Sequence, residues 1–407
     1  MSSSRETTAL PPDSSNLKGT LAILGGSPAF KDKIHVGRPN IGDRARLIER
    51  LDRILDTRWL SNGGPFVQEF EQRIADKVGV KHCIAMCNAT VALEIAIRAL
   101  ELTGEVIVPS LTFIATAHAL QWQEITPVFC DVGESTHNID CESIKSLITP
   151  RTTGILAVHL WGRPCNIDAL QAIADEHSLK LLFDAAHAFG CRYQGRKIGG
   201  FGHAEVFSFH ATKFVNSGEG GAVVTNDDAL AARIRLMKNF GFADYDKVIY
   251  IGTNGKMNEI CAAMGLTNLE SLDEFIRTNR TNFETYQECL RGIPGLSLLK
   301  YDDADSPNYQ YVVLEIDARE FGLERDQLLA VLHAENVLAR RYFYPGVHRM
   351  EPYRSRPACP ALPATELIVD RVLHLPTGTG VTHADIRMIS EIIRSAAEQR
   401  TELQEAL

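Results

Sequence analysis

The segment LFDAAHAFGCRYQGRKIGGFGHAEVFSFHATKFVNSGEGGAVVTND, residues 182–227, decides the fold class because short apolar runs alternate in it with turns that carry polar side chains. Asp184 ends the apolar run LKLLF, and Lys213 lies in a turn after the run AEVFSFH. Ligands bind at the carboxyl ends of parallel strands. We therefore expect Asp184 and Lys213 to meet at one edge of a sheet.

Similar apolar runs continue outward from this segment and alternate with amphipathic stretches of helical period. The runs occupy residues 82–87, 105–110, 127–132, 154–161, 179–186, 204–210 and 221–226. Strands that alternate with helices predict an α/β fold with a mostly parallel sheet of seven strands, covered on both faces. The last two runs leave no room for a helix between them, so we expect antiparallel strands at that end of the sheet.

The pattern changes after Asn258, where long helices lead into a smaller mixed segment. We expect a large cofactor-binding domain over residues 31–275 and a smaller C-terminal α/β domain over residues 276–407. The chain begins with a polar stretch that contains Pro11 and Pro12, which predicts a flexible N-terminal tail over residues 1–30.

Composition and charge exclude several classes of protein. The 407 residues carry a formal net charge of −9, whereas a nucleic-acid-binding protein normally shows a basic stripe. No apolar run approaches the roughly 20 residues needed to cross a bilayer. The nine cysteines are scattered, and Cys83 and Cys87 have no second pair, so no metal site is expected. The polar N terminus lacks the apolar centre of a secretory signal, and we expect a cytoplasmic protein.

Lys213 and Asp184 suit one type of cofactor. A lysine amine can bond covalently to the aldehyde of pyridoxal 5'-phosphate, and a carboxylate can keep that cofactor's ring nitrogen protonated. Asn88 and Thr90 follow another apolar run and open a helix, which provides an anion site or simply a helix cap. Ser208 could supply a second hydroxyl to the same phosphate, and Phe113 could stack on a flat ring or belong to the core.

Seven motifs resemble one enzyme family from about Gly37 to the C-terminal helix. They are WLSNGGPFVQEFE, PSLTFIATAHAL, VHLWGRPCNIDAL, DAAHAFG, FSFHATK, EGGAVVTND and YFYPGVH. With them the chain resembles the sugar aminotransferases of the DegT/DnrJ/EryC1/StrS group, which are fold type I pyridoxal-phosphate enzymes. The resemblance implies a ping-pong transamination on pyridoxal 5'-phosphate in a homodimer with shared active sites.

The resemblance also assigns roles to residues of this chain. Lys213 is the expected catalytic residue, which bonds to the cofactor and later carries the proton. The other expected cofactor contacts are Asp184 at the ring nitrogen, His187 near the phenolic oxygen, Phe113 on the ring, Ala89, Thr90 and Ser208 at the phosphate, and Asn254 at the phosphate of the neighbouring subunit. The expected substrate contacts are Trp59, Asn62, Gly63, His210, Tyr342, Tyr344 and His348.

The substrates follow from the same resemblance. FSFHATK and the EGGA after it are more like the enzymes that aminate carbon 4, which implies a dTDP-sugar, dTDP-4-dehydro-6-deoxy-D-glucose, and L-glutamate in amino-sugar and antibiotic biosynthesis. Two alternatives stay open: a carbon-3 keto-sugar or cyclitol aminotransferase, and a regulator that binds sugar or cofactor without turnover. His210 could instead hold its turn, and Arg341 could meet a diphosphate or form a surface salt bridge. A dehydratase of this family carries histidine in place of the lysine, which Lys213 argues against.

Overall fold

A computed structural model describes residues 20–355 and 360–407. Its helices are α1 (Arg44–Thr57), α2 (Pro65–Val78), α3 (Ala89–Ala99), α4 (Ile114–Gln121), α5 (Cys141–Leu147), α6 (Ile167–Glu176), α7 (Asp228–Met237), α8 (Glu259–Glu270), α9 (Leu272–Cys289), α10 (Ala318–Phe321), α11 (Arg325–Ala334), α12 (Glu351–Arg354), α13 (Pro363–Arg371), α14 (His383–Glu398) and α15 (Arg400–Ala406).

The strands are mostly of two to five residues. They are β1 (Ile34–His35), β2 (His82–Met86), β3 (Glu105–Pro109), β4 (Thr126–Cys130), β5 (Thr152–Val158), β6 (Lys180–Asp184), β7 (Arg192–Tyr193), β8 (Arg196–Lys197), β9 (Ala204–Ser208), β10 (Gly221–Thr225), β11 (Phe242–Asp244), β12 (Lys247–Val248), β13 (Leu296–Leu298), β14 (Val312–Ile316), β15 (Val337–Leu338) and β16 (Val372–Leu375).

The central sheet has seven strands in the order β2-β10-β9-β6-β5-β3-β4. Strand β10 runs antiparallel to both of its neighbours, and the other pairs are parallel. The prediction of a mostly parallel α/β sheet with antiparallel pairing at β9 and β10 is therefore confirmed. Strands β2, β3, β5, β6 and β9 all end at the same edge, and β10 begins there.

Helices cover both faces of this sheet, which explains why its strands are apolar along their whole length. On β6, Phe183 packs into the core beneath α2, α6 and α8, and its neighbour Leu182 packs into the opposite core beneath α3, α4 and α7. Local sequence fixes the helix ends. Asp43 caps α1 by accepting hydrogen bonds from Ala45 N and Arg46 N, and Pro65 occupies the first turn of α2.

A smaller unit follows, in which α9, α11 and α14 pack on the antiparallel sheet β13-β14-β16. The predicted boundary between residues 275 and 276 falls inside α9. Phe275 contributes to the core of the large sheet, and Phe283 and Tyr286 contribute to the core of the small one. Helix α9 thus links the two cores.

The N-terminal tail predicted over residues 1–30 needs a correction for its second part. Leu21 and Phe30 are buried in the core of the small unit. The carboxylate of Glu335 accepts hydrogen bonds of 2.7 Å from both Ala22 N and Ala29 N. Burial of apolar side chains and a buried charge with two N–H partners hold residues 20–30 in place. Residues 1–19 lie outside the described part of the chain.

Three further observations are limited to the residues that the structure describes. No helix among them is long and apolar enough to cross a membrane. Within the same ranges, no group of three or more His, Cys, Asp or Glu side chains is arranged to hold a metal ion. The eight cysteines that the structure describes are free thiols, and the ninth, Cys359, lies outside the described residues.

Candidate active site

Lys213 lies in the turn that follows β9, at the carboxyl edge of the sheet. Its backbone N–H donates to His210 O at 2.8 Å, which closes the turn. Its Nζ lies 3.4 Å from the hydroxyl oxygen of Tyr311, the residue before β14. Burial lowers the pKa of the amine from 10.5 to about 8, against the opposing effect of the nearby Asp184 carboxylate. A larger fraction of the amine is therefore neutral, as a nucleophile must be.

Asp184 is the last residue of β6, the strand next to β9. Its carboxylate is almost completely buried and accepts hydrogen bonds from Thr116 Oγ1 at 2.9 Å and Ala186 N at 3.1 Å. Burial raises the pKa of this carboxyl, while those two hydrogen bonds and the Lys213 amine act in the opposite direction. The site thus holds a fixed, buried carboxylate that a cationic N–H partner would stabilise in its ionised form.

His187 lies three residues beyond Asp184, in the turn that follows β6, and its ring is buried. Its Nδ1 accepts a hydrogen bond of 3.2 Å from the Trp161 N–H, so the neutral ring carries its proton on Nε2. Burial, with the Lys213 charge as a second cause, lowers the pKa of His187 well below 6.5. The ring stacks on Phe343 with centroids 5.8 Å apart. His187 is therefore a neutral hydrogen-bond donor.

The amino end of α3 lies beside the start of β10. Ala89 and Thr90 are the first residues of this helix, and the Asn88 side chain caps it by accepting from Val91 N at 2.8 Å. A Cβ on Gly221 would lie 2.5 Å from Ala89 N, so only glycine permits this approach. The helix start leaves N–H groups of Ala89 and Thr90 without intrahelical partners, as an anion site requires.

Two further predicted cofactor contacts are Ser208 and Phe113. Ser208 ends β9 opposite Gly221, and its Oγ accepts a hydrogen bond of 3.4 Å from His210 N. Phe113 precedes α4 with 55% of its surface exposed and its ring centroid 6.0 Å from that of Phe343. Phe113 is therefore not a core residue, and its ring remains accessible for stacking.

The loop before α2 contains three predicted substrate contacts, Trp59, Asn62 and Gly63. The Trp59 indole N–H donates to Ser61 O at 2.6 Å, and the ring is half exposed. Asn62 and Gly63 both have a left-handed backbone, with φ of 63° and 70°. The loop therefore has a defined turn conformation and presents the side chains of Trp59 and Asn62 at the surface.

Glu259 anchors this loop from the start of α8. Its buried carboxylate accepts hydrogen bonds of 2.9 Å from Phe66 N and Val67 N in the first turn of α2, and its own N–H donates to Leu60 O at 3.0 Å. A carboxylate at a helix N-terminus is stabilised by the unpaired N–H groups there.

Asn254 lies on an exposed segment that forms a backbone bridge with Asn239. The next residue, Gly255, accepts a hydrogen bond of 2.8 Å from Cys87 N and so touches the segment that leads into α3. The predicted role of Asn254 at the phosphate of a neighbouring subunit stays a prediction.

His210 uses one ring nitrogen to hold its own turn. Nδ1 accepts a hydrogen bond of 3.2 Å from Thr212 N, and Nε2 lies 3.6 Å from the Glu219 carboxylate. The ring is partly exposed, so Nε2 is the atom of His210 that a substrate could approach.

The segment from Tyr342 to His348 divides into accessible and inaccessible residues. Tyr342 is partly buried against Tyr311, and Tyr344 is 40% exposed. His348 is fully buried: its Nδ1 lies 2.6 Å from Ser110 Oγ and its Nε2 lies 3.2 Å from Glu366 Oε1. The expected substrate contact at His348 is therefore corrected, since its ring joins the two domains and presents no surface to a sugar.

Sequence reasoning missed three residues that shape the site: Tyr311, Thr116 and Trp161. Nothing in the sequence around Tyr311 indicates that its hydroxyl would reach Lys213. Thr116 gave only a weak signal: it lies four residues after Thr112, which precedes α4, and the two hydroxyls are 2.9 Å apart. The Trp161 contribution comes from its backbone N–H, which the residue type cannot reveal.

These groups fit pyridoxal 5'-phosphate. A buried amine of lowered pKa and a buried carboxylate lie at neighbouring strand ends, an exposed aromatic face stands beside them, and the start of α3 offers N–H donors for a phosphate. Lys213 would bond to the cofactor, Asp184 would pair with its ring nitrogen, and Ala89, Thr90 and Ser208 would hold its phosphate.

Comparison with known proteins finds several similar enzymes. The chain is 37% identical to the dTDP-4-amino-4,6-dideoxy-D-glucose transaminase of Escherichia coli over 365 residues, which is 88% of this chain and 98% of that protein. It is 36% identical to the GDP-perosamine synthase of Caulobacter vibrioides, over 87% of this chain and 95% of that one. A crystal structure of DesI, determined in the presence of its TDP-sugar product, matches with 52% identity and a TM-score of 0.91 over 95% of this chain and 98% of that one.

A family model covers residues 42–394, which include every site residue described above. Together with the fold and the pairing of Lys213 with Asp184, these similarities show that the chain belongs to the DegT/DnrJ/EryC1/StrS aminotransferase family.

Proposed function

We propose that this enzyme transfers the amino group of L-glutamate to dTDP-4-dehydro-6-deoxy-D-glucose and forms dTDP-4-amino-4,6-dideoxy-D-glucose and 2-oxoglutarate. The observation that carries the proposal is the placement of Lys213, with a pKa of about 8, beside the buried carboxylate of Asp184. The names of the E. coli relative and of the DesI structure support a nucleotide sugar as the acceptor.

Lys213 carries out the proton transfers. Its amine would remove the proton from the carbon that bears the nitrogen of the amino-donor substrate. When bound, pyridoxal 5'-phosphate supplies an electron sink for the electron pair left on that carbon. In the second half of the cycle Lys213 moves a proton in the reverse direction, toward carbon 4 of the sugar.

The surrounding residues hold the reacting groups in position. Asp184 holds its charge where the ring nitrogen must remain protonated, and Thr116 fixes the orientation of that carboxylate. The neutral His187 donates from Nε2 and does not add a positive charge next to Lys213. The first turn of α3 would hold the cofactor's phosphate, and anchoring it there would help to orient the reacting carbon toward the Lys213 amine.

The proposal includes a homodimer with shared active sites. Asn254 lies near a surface with several exposed apolar side chains around the hairpin of β11 and β12. They are Phe240, Phe242, Tyr245, Val248, Ile249 and Ile251. A concentration of exposed apolar side chains in one segment is typical of an interface. Light scattering should give twice the mass of one chain, and a single-chain mass would contradict the shared site.

The two half-reactions test the function separately. L-Glutamate alone should convert the bound cofactor to its amine form, with a change in its absorption spectrum. Subsequent addition of dTDP-4-dehydro-6-deoxy-D-glucose should restore the original spectrum and yield an aminated sugar. Lys213→Ala should abolish both changes, and multiple turnover by that variant would contradict the assignment of Lys213.

Other outcomes separate the alternatives. A glutamate half-reaction without amination of the 4-keto sugar would favour a 3-keto sugar or a cyclitol as acceptor. Cofactor binding without reaction with glutamate would favour the non-catalytic regulator. Parallel assays with a GDP-linked 4-keto sugar distinguish the nucleotide carrier, since one relative is named a GDP-perosamine synthase.

A further inference from the structure

The strand pair of β1 and β15 directs two segments toward the active site. The two strands run parallel, so their carboxyl ends lie on the same side. Beyond β1, a Cβ on Gly37 would lie 3.0 Å from Thr212 Cβ, next to Lys213. Beyond β15 the chain continues through Arg340 to Tyr342. The segment after β15 therefore emerges at the active site.

One hydrogen bond and two ring contacts connect Lys213 with Arg340. The Tyr311 hydroxyl lies 3.4 Å from Lys213 Nζ, and the Tyr311 ring meets the Tyr342 ring edge-on with centroids 6.2 Å apart. The Arg340 guanidinium carbon lies 5.6 Å from the Tyr342 ring centroid, over its face. The Arg340 guanidinium thus lies at the far end of an aromatic wall, formed by the Tyr311 and Tyr342 rings, that begins at the Lys213 amine.

Arg340 differs from its neighbour Arg341 in its partners. Arg341 Nη1 donates to Asp326 Oδ2 at 2.9 Å, and its guanidinium lies over Tyr344. Arg340 is exposed, and within residues 20–355 and 360–407 its side chain has no hydrogen-bond or ion-pair partner. The Tyr342 ring lies against the Arg340 guanidinium, whose N–H donors stay unoccupied within the described residues.

We infer that Arg340 binds the diphosphate of the sugar substrate and so selects nucleotide-linked keto sugars over free ones. The inference rests on the proposed function, because it needs a keto sugar at Lys213 whose diphosphate extends outward along the wall of Tyr311 and Tyr342. A guanidinium binds phosphate oxygens through paired, charge-assisted hydrogen bonds. L-Glutamate carries no diphosphate, so Arg340 acts only in the second half-reaction.

The Arg340→Gln variant tests this inference against Arg341→Gln, which removes the same charge one residue away. Calorimetric titration of each purified protein with dTDP gives an affinity that needs no turnover. We expect Arg340→Gln to raise the Kd for dTDP and the KM for the dTDP-sugar by about tenfold or more, the loss of one good charge-assisted contact. Arg341→Gln should change both by less than about threefold, since its charge is already paired.

The rate of the glutamate half-reaction distinguishes failure of this inference from failure of the proposed function. It should be the same in wild type and in Arg340→Gln. Arg340→Lys keeps the charge without the paired geometry and should give an intermediate Kd. Unchanged dTDP affinity in Arg340→Gln, equal losses in the two glutamine variants, or a slower glutamate half-reaction in Arg340→Gln would each overturn the inference. Absence of any glutamate half-reaction in wild type would contradict the proposed function itself.

Discussion

Lys213 Nζ donates a hydrogen bond of 3.4 Å to the hydroxyl oxygen of Tyr311, so the reactive amine of the large domain contacts the residue that precedes strand β14 of the small one. The contact spans 98 positions of sequence. It brings the small domain into direct contact with the group that carries the proton.

The pH dependence of cofactor uptake should report the pKa of Lys213. Only the neutral amine attacks an aldehyde, and burial lowers this pKa from 10.5 to about 8. The rate at which cofactor-free protein takes up pyridoxal 5'-phosphate, followed by absorbance, should therefore rise with pH around a midpoint of about 8. A midpoint near 10.5 would show that the amine is solvated.

The Tyr311→Phe variant should move that midpoint to lower pH. The Tyr311 oxygen accepts a hydrogen bond from the amine and so stabilises its charged form; without this acceptor the ammonium is less favourable. Tyr309→Phe is a suitable control, because the Tyr309 hydroxyl bonds to Asp303 at 3.1 Å, away from Lys213. An upward shift in Tyr311→Phe, or equal shifts in both variants, would argue against the contact.

The Thr116→Val variant should lower kcat by about tenfold, the effect of one lost hydrogen bond to a buried charge. Without the Thr116 hydroxyl, burial raises the pKa of Asp184 with less opposition, so the acidic limb of the pH–rate profile should move to higher pH. Thr281→Val, on the exposed face of α9, is the control for the same side-chain change. An unchanged acidic limb in Thr116→Val would show that the Thr116 hydroxyl does not affect the ionisation of Asp184.

The Gly221→Ala variant should weaken cofactor binding by more than about tenfold, because the new methyl group would displace the start of α3. Gly200→Ala is the matched control: a Cβ there meets its nearest neighbours at ordinary distances of 3.7 and 3.8 Å. The Kd for pyridoxal 5'-phosphate is the measurement. Equal affinity in the two variants would mean that α3 does not hold the phosphate.

The Glu259→Ala variant should lower the free energy of unfolding by about 3 kcal/mol, because two buried N–H groups of α2 lose a charged acceptor. It should also raise the KM for the sugar, since the loop with Trp59, Asn62 and Gly63 loses its anchor. Glu274→Gln, on the exposed surface of α9, should change neither quantity. A stable Glu259→Ala variant with normal KM would show that the loop is held by other contacts.

The sequence predicted those parts of the molecule that depend on local pattern. Apolar runs located the strands of the central sheet, and the short interval between β9 and β10 predicted their antiparallel pairing. Asp184 ends β6 and Lys213 lies in the turn after the adjacent strand β9, which agrees with the prediction from their positions after apolar runs. The family resemblance is confirmed by the match over residues 42–394. The domain boundary, the contact roles of the site residues other than His348, the dimer and the cytoplasmic location stay predictions.

Features that depend on distant partners were not predictable. Residues 20–30 follow a polar stretch and were predicted to belong to the same tail, but Glu335, more than three hundred positions away, binds Ala22 N and Ala29 N. His348 lies in a motif that contacts the site, yet its ring pairs with Ser110, 238 positions away. Arg340 and Arg341 are indistinguishable by sequence, and only their partners separate them.

The most direct test of the central claim is the transfer of nitrogen from glutamate to the sugar. The holoenzyme is incubated with L-glutamate labelled with a heavy nitrogen isotope and with dTDP-4-dehydro-6-deoxy-D-glucose, and the nucleotide sugar is analysed by mass spectrometry, with Lys213→Ala as control. We predict an aminated dTDP-sugar that carries the label with wild type and an unchanged sugar with the variant. An unlabelled, unchanged sugar with the wild-type holoenzyme would contradict the claim.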